Sequence, residues 1–236
     1  WATAISTLTV PLAHAGDLTI SDARTEPVDT STGDGNGPGT IVIDSTGSVA
    51  LGASAGSGQS AVTVNSDHTI SNGGSITNIG DSATGILVDL TALDPDTGTA
   101  SARNVISTVT NTGQVGVGNT AADNVDTALF NAGIRVNGLG TYTGNIVNAG
   151  TGAIGVDGNS SYGIAIQSDM VGDITNSGLI QVGGKSAFGI MTTGEITGNL
   201  VTGGSITAAN HQGTGVYIGG GLNGTYTHAG FINVGS

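Results

Sequence analysis

The sequence predicts an all-β fold: one chain winding as a parallel β-helix of about 26 residues per coil, with three short strands in each coil. Three observations predict it. The first is a fixed step. Ile154, Ile180, Ile206 and Ile232 are each 26 apart, as are Gly152, Gly178 and Gly204, and Gly163, Gly189 and Gly215. Ile174, Leu200 and Tyr226 form a second apolar register at the same step. A period of this size means one supersecondary unit stacked on copies of itself. The second is alternation. Ile41-Val42-Ile43 and Gly163-Ile164-Ala165-Ile166 carry the period-two spacing of strands, and no long stretch repeats at 3.6. The third is composition. Gly is 43 of 236 residues, which alone would suggest disorder, but hydrophobic residues make up 37%, enough for a continuous core.

The segments follow in order. Residues 1–15 read as the remnant of a signal peptide. A short apolar uncharged run leads into Ala13-His14-Ala15, an A-x-A pattern that places cleavage before Gly16, although no basic n-region precedes it. Residues 16–40 read as an entry or capping segment, because 27–39 are rich in Thr, Ser, Asp, Gly and Pro and lack a core pattern. The β-helix is expected from 41 to 236, with an early coil containing Gly47-Ser48-Val49-Ala50-Leu51.

The clearest coil runs from Asp173 to Ile190. Ile174 starts one strand, Asn176 and Gly178 make a corner, and Ile180 and Val182 point inward from a second strand. Gly183-Gly184 turns again, and Gly189-Ile190 opens the third strand. Asn recurs at the corner as Asn72, Asn111 and Asn148, which suggests a stacked Asn ladder; Thr202 and His228 replace it later. Gly85 and Gly133 are 48 apart, an excess of 22 over one period. Thirteen of these fall near 90–103 and nine near 119–130. Insertions of this kind emerge as loops and often bind partners. The run from Phe231 to Ser236 fills a strand that earlier coils follow with a turn and another strand. The chain is therefore expected to continue into further coils or to stack end to end.

Chemistry is sparse. Four Lys and Arg oppose 17 Asp and Glu, a formal charge of −13, which excludes a nucleic-acid footprint and disfavours anionic membranes. No stretch approaches the ~20 apolar residues of a membrane helix, so no insertion by this segment is expected. There is no cysteine, hence no disulfide or thiolate site. Asp94-Pro95-Asp96-Thr97-Gly98 and Asp34-Gly35-Asn36-Gly37 have the oxygen-rich composition of calcium loops. They lack the full spacing and the distal Glu, so they read as Asp/Gly turns and the metal ligands stay unassigned. No other cofactor is indicated.

The cations Arg24, Arg103, Arg135 and Lys185 do not recur at 26 with an acid partner. Asp157 and Asp173 have no paired carboxylate as glycoside hydrolysis requires, and His211 and His228 are off the repeat. No G-x-S-x-G elbow is present. No catalytic residue is assigned. The threonines of Thr141-Tyr142-Thr143 and Thr225-Tyr226-Thr227 are too few for an ice-binding row.

Gly144-Asn145-Ile146-Val147-Asn148-Ala149-Gly150, Gly172-Asp173-Ile174-Thr175-Asn176-Ser177-Gly178 and Ser161-Tyr162-Gly163-Ile164 resemble the passenger repeats of Gram-negative autotransporter outer-membrane proteins. The run from Ala23-Arg24-Thr25-Glu26-Pro27-Val28 into Gly47-Ser48-Val49 resembles the start of such passengers. The resemblance covers residues 16–236. It implies a right-handed parallel β-helix, export, display at the cell surface and a C-terminal membrane barrel that this sequence lacks. It carries over no catalytic residue. The expected function is a non-enzymatic adhesive or structural stalk whose partner is a surface glycan or protein receptor. The alternatives are a polysaccharide-active β-helix enzyme and a self-assembling extracellular filament subunit.

Overall fold

The computed structural model describes residues 16–53, 58–118, 129–208 and 210–235. Among these residues the protein is all-β, without α-helix, and its strands lie in four parallel sheets. This arrangement is compatible with a parallel β-helix. The chain visits the sheets in a fixed order, and each pass adds one strand to each sheet it crosses. The first sheet has eight strands, from Leu18–Ile20 to Tyr226–His228. The second has eight, from Ala23–Arg24 to Phe231–Val234. The third runs from Val28–Asp29 to Thr214–Ile218. The fourth has five two-residue strands, from Val105–Ile106 to Leu222–Asn223. Parallel neighbours need a long crossover, and here each crossover is the remainder of one pass through the other sheets.

The fourth sheet is absent from the three-strand reading. Its strands are too short to show alternation, but their inner column Val105, Tyr142, Met170 and Ile196 is buried. The Tyr142 hydroxyl donates to the Ser107 carbonyl at 3.0 Å, and burial pushes its pKa up.

The sheets also begin earlier than expected. Leu18–Ile20, Ala23–Arg24 and Val28–Asp29 pair in parallel with Ile41–Ile43, Ser48–Leu51 and Ser60–Val64. Residues 16–40, read from the sequence as an entry or capping segment, thus contribute one strand to each of the first three sheets. Leu18, Ile20 and Val28 are buried in the same core as later passes. Thr30 to Gly39 form the turn-rich connection back to the first sheet. Expectations for 1–15 and 119–128 lie outside the described residues.

Two side-chain columns explain the 26-residue step. Ile154, Ile180, Ile206 and Ile232 pair in register on the second sheet; the first three are buried and Ile232 is partly buried. Facing them on the third sheet stand Gly133, Gly163, Gly189 and Gly215. A Cβ at Gly163 would lie 2.3 Å from Ile180 Cγ2, and one at Gly189 would lie 2.2 Å from Ile206 Cγ2. Glycine is kept here by close approach: each isoleucine methyl occupies the space a side chain would need.

The Asn column forms a ladder. Asn72 Nδ2 donates to Asn111 Oδ1 at 2.8 Å, Asn111 Nδ2 to Asn148 Oδ1 at 2.8 Å, and Asn148 Nδ2 to Asn176 Oδ1 at 2.7 Å, with all four residues buried. The ladder stops at Thr202, leaving Asn176 Nδ2 buried without a partner.

Candidate ligand-binding face

The chemical candidates separate rather than converge. Asp94 accepts the backbone N–H groups of Asp96 and Thr97, which closes a hairpin turn and lowers its pKa. Asp34 accepts from the side chain and backbone N–H of Asn36, with the same consequence. Both calcium-like runs are thus turns whose leading carboxylate is used locally. No group of three or more His, Asp or Glu converges among the described residues. Asp157 lies at the corner after the second sheet, where its carboxylate accepts from the Gly158 N–H at 3.1 Å. Asp173 lies before the first sheet and accepts the Asn199 N–H at 2.7 Å, so the two acids are on different corners. His211 is in a turn. His228 is on an exposed strand, with Nδ1 2.9 Å from Thr202 Oγ1.

The insertion near 90–103 is more ordered than the expected loop. Leu90 is buried within strand Thr84–Leu93, which continues outward as a β-hairpin. Thr91, Ala92 and Leu93 pair antiparallel with Ala102, Ser101 and Ala100. Arg103 closes its base through an ion pair with Asp89 at 3.2 Å, and Leu93 near the tip is 66% exposed.

Arg103 is therefore occupied, Arg24 is exposed on a short strand and Lys185 sits in an exposed turn. Arg135 is different. It projects from strand Ala132–Gly138 of the third sheet, and its Cζ lies 5.8 Å from the centroid of the Tyr162 ring. Its Nη2 donates to the Phe130 carbonyl at 2.7 Å, and its buried Nε has no partner. Among the described residues it makes no ion pair. Burial lowers its pKa, and the Tyr162 hydroxyl offsets part of that effect. Phe130 is 48% exposed and holds φ at 60°, a strained conformation for an aromatic residue.

The ring row continues beyond Tyr162. Tyr162 stacks on Phe188 at 5.8 Å, and Phe188 meets Tyr217 edge-on at 5.8 Å. These residues belong to successive strands Tyr162–Ile166, Phe188–Thr192 and Thr214–Ile218. Cross-strand aromatic pairs stabilise a sheet. Here the row also ends in an exposed ring, Tyr217 at 46%. The result is a line of contacts across the outer face of the third sheet, from Phe130 through Arg135 to Tyr217.

This face was not singled out in the sequence. A signal existed: Tyr162 and Phe188 are 26 apart, each directly before a repeating glycine. Tyr217 broke the pattern, because Thr214 holds the equivalent position and Tyr217 joins the row from the Arg135 column. The second sheet offers a contrast. Its outer face has an open trough of about 660 Å³ floored by Gly116 and Gly155 and edged by Thr77, Gln181 and Asp157, without a cation or an aromatic ring.

No family model, curated protein or solved structure matches this chain.

Proposed function

We propose that the chain is a non-enzymatic, extracellular β-solenoid that binds a ligand through the outer face of its third sheet. In this reading it is a right-handed parallel β-helix of about 26 residues per coil, of the autotransporter passenger type, displayed at the cell surface of a Gram-negative bacterium. The fixed order of four parallel sheets and the in-register isoleucine column support the β-helix. The strong preference of parallel crossovers for one hand supports right-handedness. The passenger-like repeats around Asn148 and Asn176 support the family reading, and their asparagines build the internal ladder.

The observation that carries the binding role is the row Phe130, Arg135, Tyr162, Phe188 and Tyr217. It gathers four of the chain's eight Phe, Tyr and Trp residues and one of its four cations on one outward surface. Among the described residues the acids and histidines are dispersed and supply no acid–base pair, which favours binding over catalysis. The test is binding of the purified chain to a glycan array and to host-type cells, beside a Phe130→Ala/Tyr217→Ala variant. Saturable binding that the variant loses while keeping its melting curve is expected. Binding that the variant retains, or turnover of a polysaccharide, would contradict the reading.

A further inference from the structure

The outer face of the second sheet carries two glycines that the fold itself does not require. Gly116 and Gly155 stand opposite each other on strands Gln114–Gly118 and Ala153–Val156. Thr77 flanks the pair on one neighbouring strand and Gln181 on the other. Neither glycine holds a positive φ. A Cβ at Gly155 would meet no described atom within 4 Å, and one at Gly116 only the Ile76 carbonyl oxygen at 3.9 Å. They differ in this from Gly163 and Gly189, whose side-chain space is taken by isoleucine methyls. Glycine inside a strand weakens it, and one that no turn or internal contact demands marks a place where something else approaches the backbone closely. The two lie in the floor of the trough of about 660 Å³, a size within the range of about 300–1,000 Å³ usual for small-molecule sites.

We propose that this trough is a second binding site, which seats a neutral disaccharide or the end of a neutral glycan flat on the backbone at Gly116 and Gly155. The site is separate from the ring row of the third sheet and does not depend on it. Three arguments select the ligand class. The rim carries the hydroxyls and amides of Ser75, Thr77, Gln114 and Gln181 and the carboxylate of Asp157. Such a set donates and accepts in equal measure, as sugar hydroxyls do, while the C–H face of a sugar ring suits a floor without side chains. An anion is disfavoured, because Asp157 is the one charged group lining the trough and the chain as a whole carries −13. An added peptide strand is disfavoured as well. Both floor strands are already paired on each side, so the trough offers no open edge for main-chain hydrogen bonds. From Thr77 to Gln181 the floor spans three strand spacings, about 14 Å at ~4.8 Å each, which a short sugar fills.

The test titrates the chain with lactose, maltose, cellobiose and, as an anionic sugar, glucuronate, and follows amide shifts in proton–nitrogen correlation spectra. At least one neutral disaccharide is expected to shift the Gly116 and Gly155 amides saturably, and glucuronate to shift neither. Gly155→Val separates binding from folding. A β-branched side chain suits an extended strand position better than glycine, so the variant is expected to melt about 2–4 °C higher. It fills the floor, so its affinity for the sugar should fall at least about tenfold. Residues 119–128 follow Gly118 at one corner of the trough and lie outside the described residues, and the melting curve registers any cover they supply. A lower melting temperature in Gly155→Val would show that the chain itself occupies the floor and would overturn the proposal. So would sugar binding that survives Gly155→Val, no shift with any of the three disaccharides, or glucuronate binding as tightly as the best of them. Phe130→Ala/Tyr217→Ala is expected to leave these shifts unchanged; their loss in that variant would move the sugar to the third sheet and remove the second site.

Discussion

The stretch from Ile146 onward and the stretch before it reach the same stacking by different means. Downstream, Ile174, Leu200 and Tyr226 share one position of the first sheet, and the sequence repeats with the structure at a step of 26. Upstream, Ile41, Ile70, Val109 and Ile146 share that same position, yet the spacing between them is irregular. The hairpin at Ala100–Ala102 adds residues between two passes without displacing either. Register is thus carried by the inward columns, and the period is only its by-product. Added residues enter at corners, where no ladder has to be interrupted.

Predictions that would break or sharpen this comparison begin with the core. Ile180→Ala downstream and Val115→Ala upstream remove side chains from the same buried column. Each is expected to cost about 2–5 kcal/mol, the valine nearer the lower end, measured by urea unfolding. A loss confined to the downstream site would show that the upstream passes are not equivalently packed.

The ladder spans both regions. Asn148→Ala strands Asn111 Nδ2 on one side and Asn176 Oδ1 on the other, since Asn148 bonds both. Leaving each buried group unpaired costs about 1–3 kcal/mol. Asn148→Ala should therefore approach a core truncation, while an exposed Asn such as Asn223 changed to Ala should not. Unfolding midpoints that fall together would refute the ladder's contribution.

The regions differ in acid response. Asp29, Asp34, Asp44 and Asp94 all lie upstream and all have lowered pKa values. Hydrogen bonds from Ser21 and Thr46 hold Asp44 at about 2. At Asp29 burial pulls upward, but bonds from Ser31 and Thr32 outweigh it. A depressed carboxylate stabilises the fold above its unfolded value near 4, and that contribution is lost as pH falls through the folded value. Between about pH 4 and pH 2 the upstream turns should loosen first. Hydrogen exchange corrected for intrinsic rates should show the Asn36 and Thr46 amides, which rest on Asp34 and Asp44, losing protection in this window while the Leu200 amide, which rests on the Thr225 carbonyl, keeps it; simultaneous loss would contradict this.

The smallest effect concerns the hairpin. Replacing residues 91–102 with a short Gly/Ser link is expected to change stability by less than about 1 kcal/mol, because those residues project from the sheet and Leu90 stays in place. A large loss would mean the hairpin is part of the fold rather than an addition to it.

What could be read from the sequence follows the same division. The isoleucine column, the glycines facing it and the Asn ladder announce themselves because stacking demands one residue type at each step. The first pass stayed hidden because Leu18, Ile20 and Val28 sit in strands of two or three residues followed by a turn-rich connection. The fourth sheet stayed hidden for the same reason. The candidate face was illegible because Arg135 and Tyr217 share a column that also holds Ala165 and Met191, so no repeat marks it. A ligand-facing surface need not repeat, since only the inward side is constrained by its neighbours.

The most direct measurement of the central claim places nitroxide labels on outward positions of the first sheet, at Thr110 with Val147 and at Thr175 with Val201. Each pair is in register on adjacent strands, so the backbones should lie ~4.8 Å apart. Continuous-wave electron paramagnetic resonance should show strong dipolar broadening for both pairs, although residues 119–128 intervene only in the first. Broadening for Thr175 with Val201 and a narrow spectrum for Thr110 with Val147 would contradict the account.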